Sequence, residues 1–203
     1  MAIFALIAMP CHPEGRQDSK QAVTVYVDSC PEVPDETLTV AEFLAFRMFE
    51  KAGVSLRWHR GWSKAYRMEQ SITVRIASNT PRALHPGALA YAEPYAGQIK
   101  GAHIRVFFDR IENSGTTKLV PYLLGHVLVH EITHILERSD HHSKEGVMKR
   151  SWTRHDLFQM WYQPLPFDAL DVELIRRGFA NRDRDAISAR LGNRGVVELA
   201  AAQ

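Results

Sequence analysis

Polar and apolar residues alternate along several short stretches of the chain, and this period of two predicts β-strands. The pattern is found at residues 22–29, 54–59, 71–78, 88–94 and 102–111. The stretch 88–94 carries Pro94 near its end, and proline confines a strand to the edge of a sheet or to a strand terminus. These segments together predict one sheet of five strands, with 88–94 at an edge.

Two other stretches show the three-to-four-residue spacing of a helix. Residues 40–53 form the first, and Thr37 or Thr39 is predicted to cap its beginning. Residues 119–138 form the second, which is apolar on most sides. An apolar surface of that width predicts a helix buried through the middle of the domain.

Polar residues at 139–146 interrupt the helical pattern, which then resumes towards the C-terminus. Further helices are predicted at 155–162, 167–179 and 183–191. The order of elements is therefore strand, helix, strands, long helix and C-terminal helices. That order predicts an α+β fold in two layers.

The composition of the chain is ordinary for a globular protein. It has 203 residues, of which 45% are hydrophobic and 24% charged, and a net charge of +2. This charge gives no general attraction to nucleic acid or anionic lipid, and no apolar run reaches the roughly 18 residues of a membrane span. We therefore expect no nucleic-acid partner and no membrane span.

The candidate chemistry is concentrated in HEITHILERSDHHSKEGVM, residues 130–148. On a helix, His130 and His134 differ by about 40° around the axis, so both can reach one Zn²⁺. Glu131 flanks them as a candidate general base for a zinc-activated water, which is the HExxH arrangement of zinc proteases. A catalytic zinc needs a third protein ligand, and Asp140, His141 and His142 are the candidates.

This stretch resembles the zincin metallopeptidases, and in particular their metzincin branch. Metzincins carry HExxHxxGxxH or HExxHxxGxxD, followed by a tight turn with a methionine beneath the metal. Here the expected glycine is Glu137, and strict spacing would make Asp140 the ligand. The stretch is more similar to bacterial metzincin-like proteins that read HExxH, a histidine eight residues on, then HSxxG(V/I/L)M and a tryptophan. Residues His142, Ser143, Gly146, Met148 and Trp152 match that pattern.

The resemblance implies a zincin-like α+β domain, with a twisted mixed sheet packed on the active-site helix and a smaller helical part below a cleft. It implies one catalytic Zn²⁺ held by His130, His134 and His142, with Asp140 and His141 as alternatives for the third ligand. It also implies hydrolysis of a peptide bound along the edge strand 88–94. The division expected is an N-terminal segment 1–21 of unclear role and one domain at 22–203. Within that domain, 22–138 carries the sheet and active-site helix, and 139–203 carries the methionine turn and C-terminal helices.

A non-catalytic zinc protein is the rival hypothesis, because Asp140 or His141 could join His142 and close the site to water. A metal-free binding module is a third option, which the presence of a candidate base at Glu131 disfavours. His126 lies one turn before His130, but three ligands on one straight helix spread over about 12 Å of its axis, so it is predicted to be a supporting or core residue. Tyr95 and Tyr162 are candidates for stabilising an oxyanion.

Several properties stay open at this point. MAIFALIAMP, residues 1–10, has the apolar stretch of a secretory signal without its basic region, so secreted, periplasmic and cytoplasmic locations are all compatible with the sequence. Cys11 and Cys30 could pair in an oxidising compartment or remain thiols. Substrate preference and oligomeric state are not predicted.

Overall fold

The computed structural model describes residues 21–61, 71–93, 102–114 and 117–200. Five strands form a single sheet in the order β2-β1-β3-β5-β4. They are β1 (Gln21–Ser29), β2 (Val54–Arg60), β3 (Ser71–Ala77), β4 (Ala90–Glu93) and β5 (Ala102–Phe107). Strands β2, β1, β3 and β5 pair in parallel with one another in that order, and β4 pairs antiparallel with β5 at the edge. The mixed sheet and its edge strand at 90–93 agree with the predicted α+β architecture.

The helices are α1 (Asp35–Lys51), α2 (Phe108–Asn113), α3 (Val120–Glu137), α4 (Arg154–Tyr162) and α5 (Ala169–Ala200), with a 3-10 turn at Thr117–Leu119. Helix α3 lies in the centre of the molecule, where it packs against α1, α5 and β4. A Cβ atom on Gly125 would come within 3.2 Å of the Ala41 carbonyl oxygen, so this glycine allows α1 and α3 to approach closely. By length and a mean hydropathy of 1.3, Thr117–Glu137 could cross a membrane, but 83% of its most apolar stretch is buried inside the protein.

Helix α1 begins at Asp35, earlier than the predicted 40, and its N-cap is Pro34. The prediction that Thr37 or Thr39 caps it is wrong. Thr37 is buried within the helix, and the Thr39 hydroxyl donates to the Asp35 carbonyl oxygen at 2.7 Å. A threonine hydroxyl that donates a hydrogen bond to the carbonyl oxygen four residues earlier is compatible with the interior of a helix, so Thr39 does not have to stand at the cap.

The predicted strand 102–111 is correct only as far as Phe107, where the chain turns into α2. Apolar residues Phe108 and Ile111 are three apart and both fully buried, which is helical spacing. Asp109 also accepts a hydrogen bond from the Thr80 hydroxyl at 2.7 Å, and this contact anchors the turn to the loop before β4. The apolar residues of 102–111 therefore belong to two elements, β5 and α2, and their spacing in the sequence did not show where one ends and the other begins.

The two helices predicted at 167–179 and 183–191 are one continuous helix, α5. No proline interrupts the intervening residues 180–182, and the glycine near the expected break, Gly178, has a packing role instead. A Cβ atom there would lie 1.7 Å from the Leu136 carbonyl oxygen, so Gly178 lets α5 contact the end of α3. Residues 1–20, including Cys11, and position 94 of the predicted edge strand lie outside the described residues. The proposed division at 138 and 139 stays a prediction.

Candidate metal centre

Helix α3 brings its two predicted metal ligands together on one face. His130 and His134 stand one turn apart, and their Nε2 atoms are 3.1 Å from each other. In a tetrahedral zinc site with Zn–N distances near 2.0–2.1 Å, two ligand nitrogens lie about 3.3 Å apart. The helical spacing thus delivers a pair of imidazoles at a separation suited to one ion.

Backbone carbonyl groups orient both rings. The Nδ1 atom of His130 lies 2.9 Å from the Val147 carbonyl oxygen, and that of His134 lies 3.0 Å from the Ser139 carbonyl oxygen. A carbonyl oxygen only accepts hydrogen bonds, so each Nδ1 carries the hydrogen and each Nε2 presents a lone pair. Two lone pairs facing each other at 3.1 Å repel unless a proton or a cation lies between them, and this arrangement fits a bound metal.

His142 reaches the same point from the segment that follows α3. The helix ends at Glu137, and its C-cap is Arg138, whose backbone is left-handed with φ 57° and ψ 38°. The chain then turns back, and the His142 ring centroid lies 5.2 Å from that of His130 and 4.8 Å from that of His134. One ligand atom from each of the three histidines lies within 4.8 Å of the other two. The three predicted ligands are therefore assembled around one point.

We call residues 138–149 the ligand loop, and contacts with the chain near Pro166 support it. The Val147 amide donates to the Pro166 carbonyl oxygen at 2.9 Å. Gly146 has φ 76°, and a Cβ atom there would lie 2.3 Å from the same oxygen, so only glycine fits. Val147 and Met148 are fully buried. The turn at 146–148 thereby presents the Val147 carbonyl oxygen to His130.

The two alternative third ligands have other surroundings. His141 turns towards α5, where its Nε2 atom lies 3.4 Å from the Ser143 hydroxyl and 4.0 Å from Asp171. Asp140 lines the cavity beside the histidines, yet it is not part of the ligand cluster. Within the described ranges, that cluster contains three groups and no fourth.

Burial sets the protonation of the site. It lowers the pKa of His130 to about 4, and neighbouring His134 and His142 add to this effect against the opposing Val147 carbonyl. The pKa values of His134 and His142 are also lowered, in both cases first by burial. The histidines are therefore neutral near pH 7, which is the form that binds zinc.

Glu131 is 8% exposed and lines the same cavity as the three histidines. Burial raises the pKa of its carboxyl to about 7. A carboxyl with that pKa exists in both protonation states near neutral pH, so it can accept and return a proton under ordinary conditions. This is the behaviour required of a general base that later acts as an acid.

A cavity of about 730 Å³ opens onto these residues. Its lining includes residues of α3, of the ligand loop, of β4 and of the segment before β4. Side chains of Leu123, Val127, Trp152 and Leu157 make part of the lining apolar. Trp152 also meets the edge of His130, with ring centroids 5.7 Å apart. The candidate metal point is thus accessible to a ligand of peptide size.

Other residues singled out in the sequence lie elsewhere. His126 is fully buried. Its Nε2 atom accepts a hydrogen bond from the Leu165 backbone amide at 3.0 Å, and its Nδ1 atom lies 2.7 Å from the Tyr122 carbonyl oxygen. It is therefore a core residue, in line with the prediction. Tyr162 is 72% exposed and does not line the cavity, whereas Tyr95 lies outside the described residues. Tyr91 on β4, which the sequence did not single out, is the tyrosine of the described chain that lines the cavity.

Comparison with known proteins supports the fold. No protein-family profile matches the chain, and no curated protein sequence does. Among solved structures, it is similar to the crystal structure of archaemetzincin from Methanopyrus kandleri, with a TM-score of 0.52 and 14% sequence identity. The match covers 81% of this chain and 98% of that one. The expected zincin-like α+β fold is thereby confirmed, and the three histidines clustered within it could hold a metal ion.

Proposed function

We propose that this protein is a zinc-dependent endopeptidase whose single metal ion is held by His130, His134 and His142. The observation that carries the proposal is the convergence of three neutral imidazoles on one point, beside a buried carboxyl and an open cavity. Three protein ligands with an accessible fourth position characterise catalytic zinc sites, whereas structural sites have four protein ligands.

Within this proposal, Glu131 is the catalytic base. A bound zinc ion would supply Lewis acidity and lower the pKa of a water molecule to near 7. Glu131 accepts the proton of the attacking water and afterwards donates it to the departing amine nitrogen. Burial raises the pKa of this carboxyl to about 7 in the metal-free protein, and a nearby cation would favour its ionised, proton-accepting form. No covalent intermediate with the protein is required.

The substrate is proposed to bind as an additional strand along β4. The backbone amide of Phe107 donates to the Leu89 carbonyl oxygen at 2.8 Å, so these two opposed residues form a hydrogen-bonded pair. Two residues further along the chain, Tyr91 of β4 lies opposite Arg105 in the antiparallel ladder. Hydrogen-bonded pairs alternate in such a ladder, so the backbone N–H and C=O groups of Ala90 and Ala92 point away from β5. An extended peptide can pair with these groups while its scissile carbonyl faces the histidines.

The rival hypothesis of a closed structural zinc site has less support. It needs Asp140 or His141 as the fourth ligand, and His141 is engaged with Ser143 and α5. Asp140 lines the cavity, but its carboxylate is not part of the ligand cluster. A closed site gives no role to a carboxyl of raised pKa beside the metal point.

The test is zinc content and hydrolysis of a peptide library by the wild type and by Glu131→Gln, measured side by side. Glutamine preserves the shape of the side chain but accepts no proton. We expect one zinc per chain in both proteins and a rate at least about 10²-fold lower in the variant, since a positioned general base contributes roughly 10²–10⁴-fold. The variant Glu112→Gln, outside the cavity, is the matched control and should keep the wild-type rate.

Other outcomes separate the alternatives. One zinc in both proteins with no hydrolysis by either favours the structural zinc site. Absence of zinc from both removes the metal assignment altogether. Equal hydrolysis by the wild type and Glu131→Gln would leave the metal centre in place but reject Glu131 as the base.

Strand addition has its own test in Ala92→Pro, compared with Ala92→Val. Proline removes the outward N–H of residue 92, and an edge position tolerates it because that group is not part of the β4–β5 ladder. We expect KM for an extended peptide to rise about 5- to 10-fold, as one backbone hydrogen bond contributes about 1 kcal/mol. Valine keeps the N–H, so that variant should retain the wild-type KM. A similar rise in both variants would point to crowding by the side chain instead.

A further inference from the structure

We propose that Asp171 is a positioning residue for the metal centre, and that it holds His142 in place through Ser143. This inference rests on the proposed function, because it assumes that His142 is a metal ligand. Asp171 lies in the first turn of α5, far from the histidines in sequence, and the motif region does not include it. Its carboxylate is nevertheless fully buried directly behind the ligand loop.

Both carboxylate oxygens of Asp171 are engaged. Oδ1 accepts the Ser143 hydroxyl at 2.5 Å, and Oδ2 accepts the Asp168 backbone amide at 2.7 Å. The second contact fixes the carboxylate to the beginning of α5. The first contact therefore ties Ser143, the residue directly after His142, to a helix terminus that does not depend on the loop.

The neighbours of His142 on both sides face α5. The Ser143 hydroxyl also lies 3.4 Å from Nε2 of His141, and the Ser143 amide donates to the Met148 carbonyl oxygen at 2.9 Å. With residues 141 and 143 directed towards Asp171, the ring of residue 142 lies on the other side of the chain, facing His130 and His134. Side chains alternate in this way along extended backbone.

The position of the His142 ring depends on the contact between Ser143 and Asp171 more than the positions of the other two histidines do. The rings of His130 and His134 are oriented by carbonyl groups at Nδ1. The Nδ1 atom of His142 is buried and, in the described part of the chain, makes no hydrogen bond of the regular geometry seen at those two rings; only the Asp140 backbone, in the same loop, acts on its ring. Its position is consequently set by the backbone on either side of it, and Asp171 fixes that backbone.

The experiment compares Ser143→Ala, Ser143→Thr and Asp171→Asn with the wild type in the full-length protein. Zinc affinity is measured by competition with a chromophoric chelator, and coordination by the visible absorption of the Co²⁺-loaded protein. Outer partners of metal ligands typically contribute 10- to 100-fold to metal affinity. We expect Ser143→Ala and Asp171→Asn to weaken zinc binding by about that factor and to lower the cobalt absorption towards that of His142→Ala.

Threonine retains the hydroxyl group, so Ser143→Thr should restore both the affinity and the cobalt spectrum. The control variant is Glu173→Gln on the exposed face of α5, where Glu173 pairs with Arg177. It should match the wild type. The thermal midpoint of the metal-free proteins is measured in parallel, because Asp171 also caps α5 and its loss destabilises that helix.

A wild-type zinc affinity and cobalt spectrum in Ser143→Ala would overturn the inference, even if its thermal midpoint falls. A wild type that binds neither metal would overturn both the inference and the proposed function. If zinc binding weakens as expected but the wild type hydrolyses no peptide, the positioning role of Asp171 stands and the peptidase assignment fails.

Discussion

The candidate metal centre joins two regions that are built in different ways, α3 and the ligand loop. Helix α3 presents His130 and His134 through regular geometry, in which a spacing of four residues places two side chains on one face. The ligand loop presents His142 through contacts with residues far along the chain, Pro166 and Asp171. The first arrangement is encoded locally, whereas the second depends on tertiary structure.

This difference predicts how each region responds to mutation. The backbone of the α3 pair is held by a buried helix, and the ligand loop contributes to it only the carbonyl groups of Ser139 and Val147 that orient the two rings. The position of His142 can be lost while the helix and the sheet are intact and His130 and His134 still stand one turn apart on α3. Damage to the helix should therefore abolish metal binding, and damage to the loop should weaken it.

The largest expected effect separates the two regions directly. Apparent zinc-binding free energies near 10–16 kcal/mol for four-ligand sites correspond to about 2.5–4 kcal/mol per ligand. We expect His134→Ala to lower zinc affinity about 10³-fold, because it leaves only one ligand on the preformed helix. We expect His142→Ala to lower it about 10²-fold, because the pair 3.1 Å apart on α3 remains. Chelator competition measures both.

Substitutions at the neighbouring positions are the controls for this comparison. Asp140→Asn and His141→Ala remove the alternative third ligands and should leave zinc affinity within a few-fold of the wild type. A loss in Asp140→Asn as large as in His142→Ala would transfer the third position to Asp140, which strict metzincin spacing favours.

The same difference explains how much of the site could be predicted from the sequence. The pairing of His130 with His134 followed from helical spacing alone, and the structure brings them together. Spacing alone left the third ligand open among three residues, because a loop has no period from which to derive side-chain direction, and it was the family resemblance that favoured His142. The groups that decide it, the left-handed Arg138 and buried Asp171, belong to a turn and to a distant helix.

The fold shows a similar division. Sheet strands and long helices were predictable, since their periodicity extends over many residues. The prediction failed at α2, where a run of apolar residues serves first a strand and then a helix, and within α5, where Gly178 supports a helix contact rather than a break. Both failures concern positions whose role is set by a tertiary contact.

Gly146→Ala should damage the loop while sparing the helix. Its Cβ would lie 2.3 Å from the Pro166 carbonyl oxygen, and the residue has a positive φ of 76°. Backbone strain and the clash together should cost about 2–5 kcal/mol of unfolding free energy. Urea denaturation of the metal-free protein measures this cost.

Gly53→Ala is the matched control for that variant. Gly53 has a comparable φ of 82°, but nothing lies within 4 Å of its Cβ position. It should lose only the strain, about 1–2 kcal/mol, and keep wild-type zinc affinity. Equal losses of stability in the two variants would show that the loop can move away from Pro166, and that it is less firmly anchored than α3.

The smallest effect is expected at Glu137, the last residue of α3, where the helix meets the ligand loop. Glu137 is 7% exposed, and neither of its carboxyl oxygens has a hydrogen-bond partner in the described ranges. Burial, and secondarily the charge of Asp171, raise its pKa from an ordinary value of 4.5 to about 8. Between these two values the unfolded chain releases the proton and the folded protein keeps it, so stability falls as pH rises.

Glu137→Gln removes this titratable carboxyl and leaves the shape of the side chain almost unchanged. The other titratable groups are the same in the two proteins, so the difference in stability between them reports on Glu137. The stability of Glu137→Gln relative to the wild type should therefore increase from about pH 4.5 to about pH 8 and remain constant above that. The total change is on the order of 1–3 kcal/mol once relaxation of the ionised group is allowed for. Urea denaturation of the metal-free proteins at several pH values measures it. A difference that does not vary with pH would mean that Glu137 is already ionised in the folded protein, and hence that the junction of helix and loop is open to water.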